Sequence, residues 1–229
     1  MKYCMYTAIA LIITTIASCK KDNYKAPNSK LTGHITYKGD PIEVEYNQVQ
    51  FELYQYGFGK IGPVAGTFQQ DGSYSMLLFN GEYKFIIPNG QGPFKWKQTA
   101  AGAPDTTVIT LNGSQDLNIE VTPYYMVRNP KITAAGGNIL GNFKVEKIIT
   151  DASAKDVESV SLYLNKTQFV SGADNTAVTT VDAAAITDWN NVQLSVAVPS
   201  GQSSVYARIG VKIVGVEDRL FSPVTKLSF

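Results

Sequence analysis

One histidine, His34, stands in the whole chain, between Gly33 and Ile35. A structural zinc site needs several histidine or cysteine ligands, so His34 alone cannot build one. A Ser-His-Asp triad would also need an exposed serine, and no Gly-x-Ser-x-Gly elbow is present. Glycoside hydrolysis would need two carboxylates facing each other across a cleft. Asp40, Asp71 and Asp105 fall in turn sequences, where such side chains serve the backbone. Glu43 and Glu45 share a face of an extended stretch, as solvated like charges. No catalytic constellation is recognisable, so an enzyme is not expected, and neither a metal nor a cofactor is implied. The aromatics are more informative. Tyr54, Tyr56 and Phe58 run into Gly57-Phe58-Gly59, and Phe94 and Trp96 follow Gly90-Gln91-Gly92-Pro93. Sugar rings offer apolar C–H faces that stack on such rings, while Gln91, Lys95 and Lys97 could bind hydroxyls. Tyr56, Phe58, Phe94 and Trp96 are therefore expected to form a carbohydrate-binding surface at one loop end. The competing reading has Phe94 and Trp96 plugging a core or packing against a neighbouring domain.

The elements that must position these residues are strands. Val49, Phe51 and Leu53 alternate with polar neighbours, and Tyr83, Phe85 and Ile87 do the same, as do Leu117, Ile119 and Val121. Turn sequences such as Gln70-Asp71-Gly72, Asn80-Gly81 and Asn112-Gly113 separate the runs. After Thr122-Pro123 the alternation continues at Val160-Leu162-Leu164, Leu194-Val196-Val198 and Val205 to Ile213, with longer turns between. One helical turn is expected at Asp182 to Ile186, capped by the aspartate. The fold class is thus all-β, with two consecutive β-sandwich domains over 31–122 and 123–229 behind a lipidated N-terminal tether. The 20 Lys+Arg against 19 Asp+Glu leave no broadly basic surface, so no nucleic-acid partner is expected.

Residues 1–18 read as a signal peptide: a lysine, then an apolar stretch from Ala8 to Ile16, too short to span a bilayer as a helix. Ile16-Ala17-Ser18-Cys19 is similar to a bacterial lipobox, which makes Cys19 the acylated mature N-terminus. The other cysteine, Cys4, is removed with the signal, so no disulfide can form within the mature chain. Residues 19–30 form a polar tether.

Gly33-His34-Ile35-Thr36-Tyr37, Gly39-Asp40-Pro41-Ile42, Asp71-Gly72-Ser73-Tyr74 and Gly81-Glu82-Tyr83 resemble the carboxypeptidase-regulatory-like, transthyretin-like sandwich. Tyr206-Ala207-Arg208-Ile209 and Phe221-Ser222-Pro223-Val224 resemble the closing strands of a fibronectin III or immunoglobulin-like module. Over nearly its whole mature length the chain resembles a family of Bacteroidetes surface lipoproteins of unknown function. The resemblance rests on Cys19 to Tyr24, Gly57-Phe58-Gly59, Leu78-Phe79-Asn80-Gly81, Asn89 to Phe94 and Val121 to Tyr125. It implies lipid anchoring at the outer membrane, exposure at the cell surface and a place beside a TonB-dependent transporter in polysaccharide uptake. The expected function is accessory glycan binding or scaffolding in that complex. The alternative is a spacer or adhesion-like protein that makes protein contacts only.

Overall fold

The computed structural model describes residues 25–57 and 61–228. Cys19, the signal peptide and Phe58 lie outside the described residues.

Period-two sequence becomes period-two burial. In the strand Gln50–Gln55, Phe51 and Leu53 are fully buried between more exposed neighbours. The first sandwich is made of two sheets. One is built on Ser29–Tyr37, which pairs antiparallel with Ser73–Leu78 and parallel with the short strands Gln115–Asp116 and Ile119–Glu120. The other runs in the order Pro63–Thr67, Gln50–Gln55, Gly81–Ile86, Thr107–Leu111, all antiparallel. Between them Phe51 stacks on Phe85 with centroids 5.1 Å apart, and Phe68 lies 4.9 Å from Phe51. Each such ring removed from water contributes ~1.5–3 kcal/mol. Pairing begins two residues inside the expected tether: Ser29 and Lys30 already face Leu78 and Leu77, and Ser29 is buried.

The second sandwich sets Tyr125–Ala135, Asn138–Lys147 and Val192–Ala197 against a sheet of Ala177–Asp182, Val157–Asn165 and Ser204–Ile213. Leu220–Phe221 and Thr225–Ser228 complete that sheet along Ser204–Ile213. The expected helical turn is a 3-10 turn at Ala183–Ala185. Asp182 occupies the cap position but makes no side-chain cap bond, so the aspartate cap expected from sequence does not form.

Among the described residues no sheet of one sandwich continues into the other: Thr122–Pro123, at the junction, pairs with Phe94–Lys95 alone, and an isolated bridge joins Glu43 to Phe221. Burial nevertheless continues across the seam, where one apolar cluster includes Ile35, Val121, Tyr125 and Leu220. The two sandwiches are distinct in their sheets and joined in their core.

Candidate functional site

At the seam lies the least expected side chain in the molecule. Arg208 sits mid-strand in Ser204–Ile213 and is completely buried. Its Nε donates to the Ser222 carbonyl at 2.8 Å, and Nη1 to the carbonyls of Val44 at 3.0 Å and Val170 at 3.5 Å. Nη2 donates to the Gln70 carbonyl at 2.5 Å and to Glu43 Oε2 at 3.2 Å. Its guanidinium carbon lies 4.3 Å from the centroid of the Phe221 ring. One cation thus ties three segments of the second sandwich to Glu43, Val44 and Gln70 of the first. Burial pushes the Glu43 carboxyl up to about 7, against the pull of Arg208. Further cross-seam bonds run from Gly92 N to Asp218 Oδ2 at 2.7 Å and from Arg128 to Asp40 at 2.5 Å.

Beside this bolt a cleft of about 480 Å³ opens between the sandwiches, lined by residues of both, including Glu43, Gln70, Asp71, Pro223 and Val224. Tyr46 and Phe169 stand at its rim, one from each domain, with ring centroids 4.8 Å apart and planes inclined at 53°. They remain 37% and 39% exposed, although rings of this size usually bury more deeply when they serve only to pack. Tyr46 and Asn47 are the central residues of a turn that Gln48 N closes on the Glu45 carbonyl at 3.3 Å, Asn47 with a φ of 58°. Phe169 is fixed through its carbonyl, which accepts a 2.6 Å bond from Asn165 Nδ2. Gln70 Nε2 reaches across to the Gln168 carbonyl at 3.0 Å, so the two loops are positioned together. Burial alone would raise the Asp71 carboxyl; bonds from Ser73, with the nearby His34 and its own backbone amide, together outweigh it and hold the group below its ordinary range. The arrangement offers an aromatic platform, a carboxylate acceptor at Asp71 and amide side chains at Gln69 and Gln168.

Of the four aromatics expected to bind together, the three described ones, Tyr56, Phe94 and Trp96, do not form one surface. Phe94 is 4% and Trp96 8% exposed, and Trp96 Nε1 donates to the Asp105 carbonyl at 2.7 Å. Their glycine-rich approach folds back onto the core instead of projecting, so the packing alternative describes them. Only part of each ring reaches a second cleft of about 330 Å³, shared with Gln91, Tyr124, Lys155 and Glu217. Tyr56 is exposed, with Lys84 Nζ 4.6 Å from its ring centroid, but it follows the far end of Gln50–Gln55. The near end receives the other loop: Gln50 N donates to Gln91 Oε1 at 2.9 Å. Roughly 17 Å of strand therefore separates Tyr56 from the Trp96 loop. Tyr46 and Phe169 were missed because neither has a glycine-rich flank. The available signal was an aromatic isolated in a polar run, as in Lys166-Thr167-Gln168-Phe169.

Among the described residues no cluster of three or more His, Cys, Asp or Glu side chains could hold a metal ion. His34 keeps an ordinary strand role, its amide donating to Asn118 Oδ1 at 3.0 Å.

The N-terminal domain of a protein of unknown function, DUF3823, matches residues 29–122, and the DUF3823_C domain of unknown function matches residues 125–226. The chain belongs to the DUF3823 family. A DUF3823 protein from Parabacteroides merdae is 31% identical and superposes with a TM-score of 0.77, over 89% of this chain and 100% of its own. Another from Bacteroides ovatus is 29% identical with a TM-score of 0.76, over 88% and 99%. A similar fold appears in a Bacteroides uniformis protein proposed to bind carbohydrate. That protein is 17% identical with a TM-score of 0.68, over 89% of this chain and 100% of its own, a likeness of fold alone. No curated protein matches the chain.

Proposed function

We propose that this DUF3823 protein is a non-catalytic glycan-binding lipoprotein that holds polysaccharide in the cleft beneath Tyr46 and Phe169. The observation that carries the reading is the solvent-facing contact of these two rings across the domain seam, above a carboxylate and amides. Stacking on the rings would supply affinity, and the polar groups would fix the orientation of hydroxyls. The carbohydrate-binding proposal made for the Bacteroides uniformis protein of the same fold is in keeping with it. In this reading Cys19 anchors the chain to the outer membrane at the cell surface. From there it serves as an accessory to a TonB-dependent transporter complex.

Affinity electrophoresis in gels containing polysaccharide tests the site. Tyr46→Ala and Phe169→Ala should each weaken retardation by the ~1–3 kcal/mol that one stacking ring provides. Tyr56→Ala, at an exposed ring far from the cleft, should leave it unchanged. Loss in Tyr56→Ala alone would move the site to the outer sheet face, and no retardation of the native protein would favour the spacer role.

Anchoring has its own test. Cys19→Ala should move the protein from the membrane fraction to the soluble fraction or leave the precursor uncleaved. A membrane-bound native chain whose N-terminal peptide carries no lipid mass would exclude acylation at Cys19.

A further inference from the structure

We infer that the Tyr46–Phe169 cleft selects uncharged glycan chains and rejects chains bearing carboxylates or sulfates. The inference rests on the glycan reading above and adds the class of ligand to it. Asp71, held in its charged form, and Glu43, already paired with Arg208, line the cleft, and among the described residues no lysine or arginine does. The guanidinium bound to Glu43, that of Arg208, has no exposed surface, and its Nε and both terminal nitrogens already donate to four carbonyls and Glu43. It cannot turn to meet a ligand anion without abandoning the seam. A third carboxylate, Glu45, stands close by, accepting the Ala173 amide at 3.2 Å. His34 is near enough to Asp71 to act on its titration but is not part of the lining.

Recognition of a uronate or sulfate normally recruits a charge-assisted donor, most often a bidentate arginine. Here an anionic sugar would lose water, face the Asp71 carboxylate of its own sign and find only the neutral Gln69 and Gln168 amides as donors, with no cation to offset the loss. An uncharged sugar meets the opposite situation. Its hydroxyls can donate to Asp71 and accept from the Gln69 and Gln168 amides while a C–H face lies on the rings. The selectivity is therefore a matter of repulsion as much as attraction.

The test is affinity electrophoresis of the purified protein at low ionic strength, with neutral glucans and mannans beside polygalacturonate and alginate. At least one neutral chain should retard the protein, and the uronate chains should do so about tenfold more weakly or not at all. Asp71→Asn should narrow that gap, as should added salt, which screens the repulsion. Equal retardation by uronate chains, abolished by Phe169→Ala, would overturn the selectivity and leave the glycan reading standing. No retardation by any of these neutral or acidic polysaccharides would overturn both.

Discussion

Arg208→Ala is expected to destabilise the protein by ~3–5 kcal/mol, the range for removing one partner of a buried charged pair. The truncation leaves the Ser222, Val44 and Gln70 carbonyls without their guanidinium donor and strands Glu43 beside the resulting void. Arg208→Met refills much of that volume and restores none of the bonds. It should recover only part of the loss, because buried acceptors left unsatisfied cost ~1–3 kcal/mol each. Lysine is no substitute: one ammonium cannot reproduce a planar fork aimed at two domains at once. Denaturant unfolding of the three variants beside the native chain measures the series. An Arg208→Met midpoint equal to that of the native protein would show that the guanidinium network has no net stabilising weight.

Gly33→Ala should be nearly as damaging, for a reason confined to the first sandwich. Gly33 has a φ of 155°, and a Cβ built there would lie 1.9 Å from the Leu117 carbonyl oxygen and 3.1 Å from the Tyr74 ring. The same carbonyl accepts the Tyr74 hydroxyl at 2.6 Å, so it cannot simply swing away. The backbone must part where Leu117 N meets the Thr32 carbonyl at 2.7 Å. A cost of about 3 kcal/mol or more follows from overpacking and backbone strain together. Gly39→Ala is the matching control, since its φ of 87° is also unfavourable for alanine but no described atom beyond its own and its chain neighbours' lies within 4 Å of the added carbon. It should cost about 1 kcal/mol. Thermal unfolding of both variants checks the contrast, and equal losses would mean that the close approach of Leu117 is not what excludes a side chain at Gly33.

The all-β class and the two sandwiches were legible because alternation reports burial on one face of a sheet. Phe51 and Leu53, or Val205, Ala207 and Ile209, point inward as their spacing requires. Arg208 shows where that logic ends. Its alternation with Ala207 and Ile209 assigns it to the outer face, which a lone sandwich would give to water. That outer face is the docking surface for the first sandwich. There Tyr163, paired with Arg208 in register, is buried in a cluster with Val170 and Phe221, and Phe221 bridges to Glu43 of the first sandwich. The strand Val157–Asn165 is accordingly buried on both faces from Val160 to Leu164, although its pattern suggests only one.

The candidate site was harder to read for the same reason. Glycine and proline around Phe94 and Trp96 describe a loop correctly but do not say that it folds inward. Tyr46 and Phe169 become a pair only when two domains meet, and no local spacing encodes a contact across 123 residues of sequence.

Solution NMR of the isotopically labelled protein, titrated with an oligosaccharide cut from a retarding neutral polysaccharide, tests the cleft most directly. Saturable shifts at the rings of Tyr46 and Phe169 and at the side-chain amides of Gln69 and Gln168 are predicted, with the Trp96 indole N–H unmoved. Shifts centred on Trp96 and Lys155, or on Tyr56 and Lys84, with Tyr46 and Phe169 silent, would contradict the assignment of the glycan to this cleft.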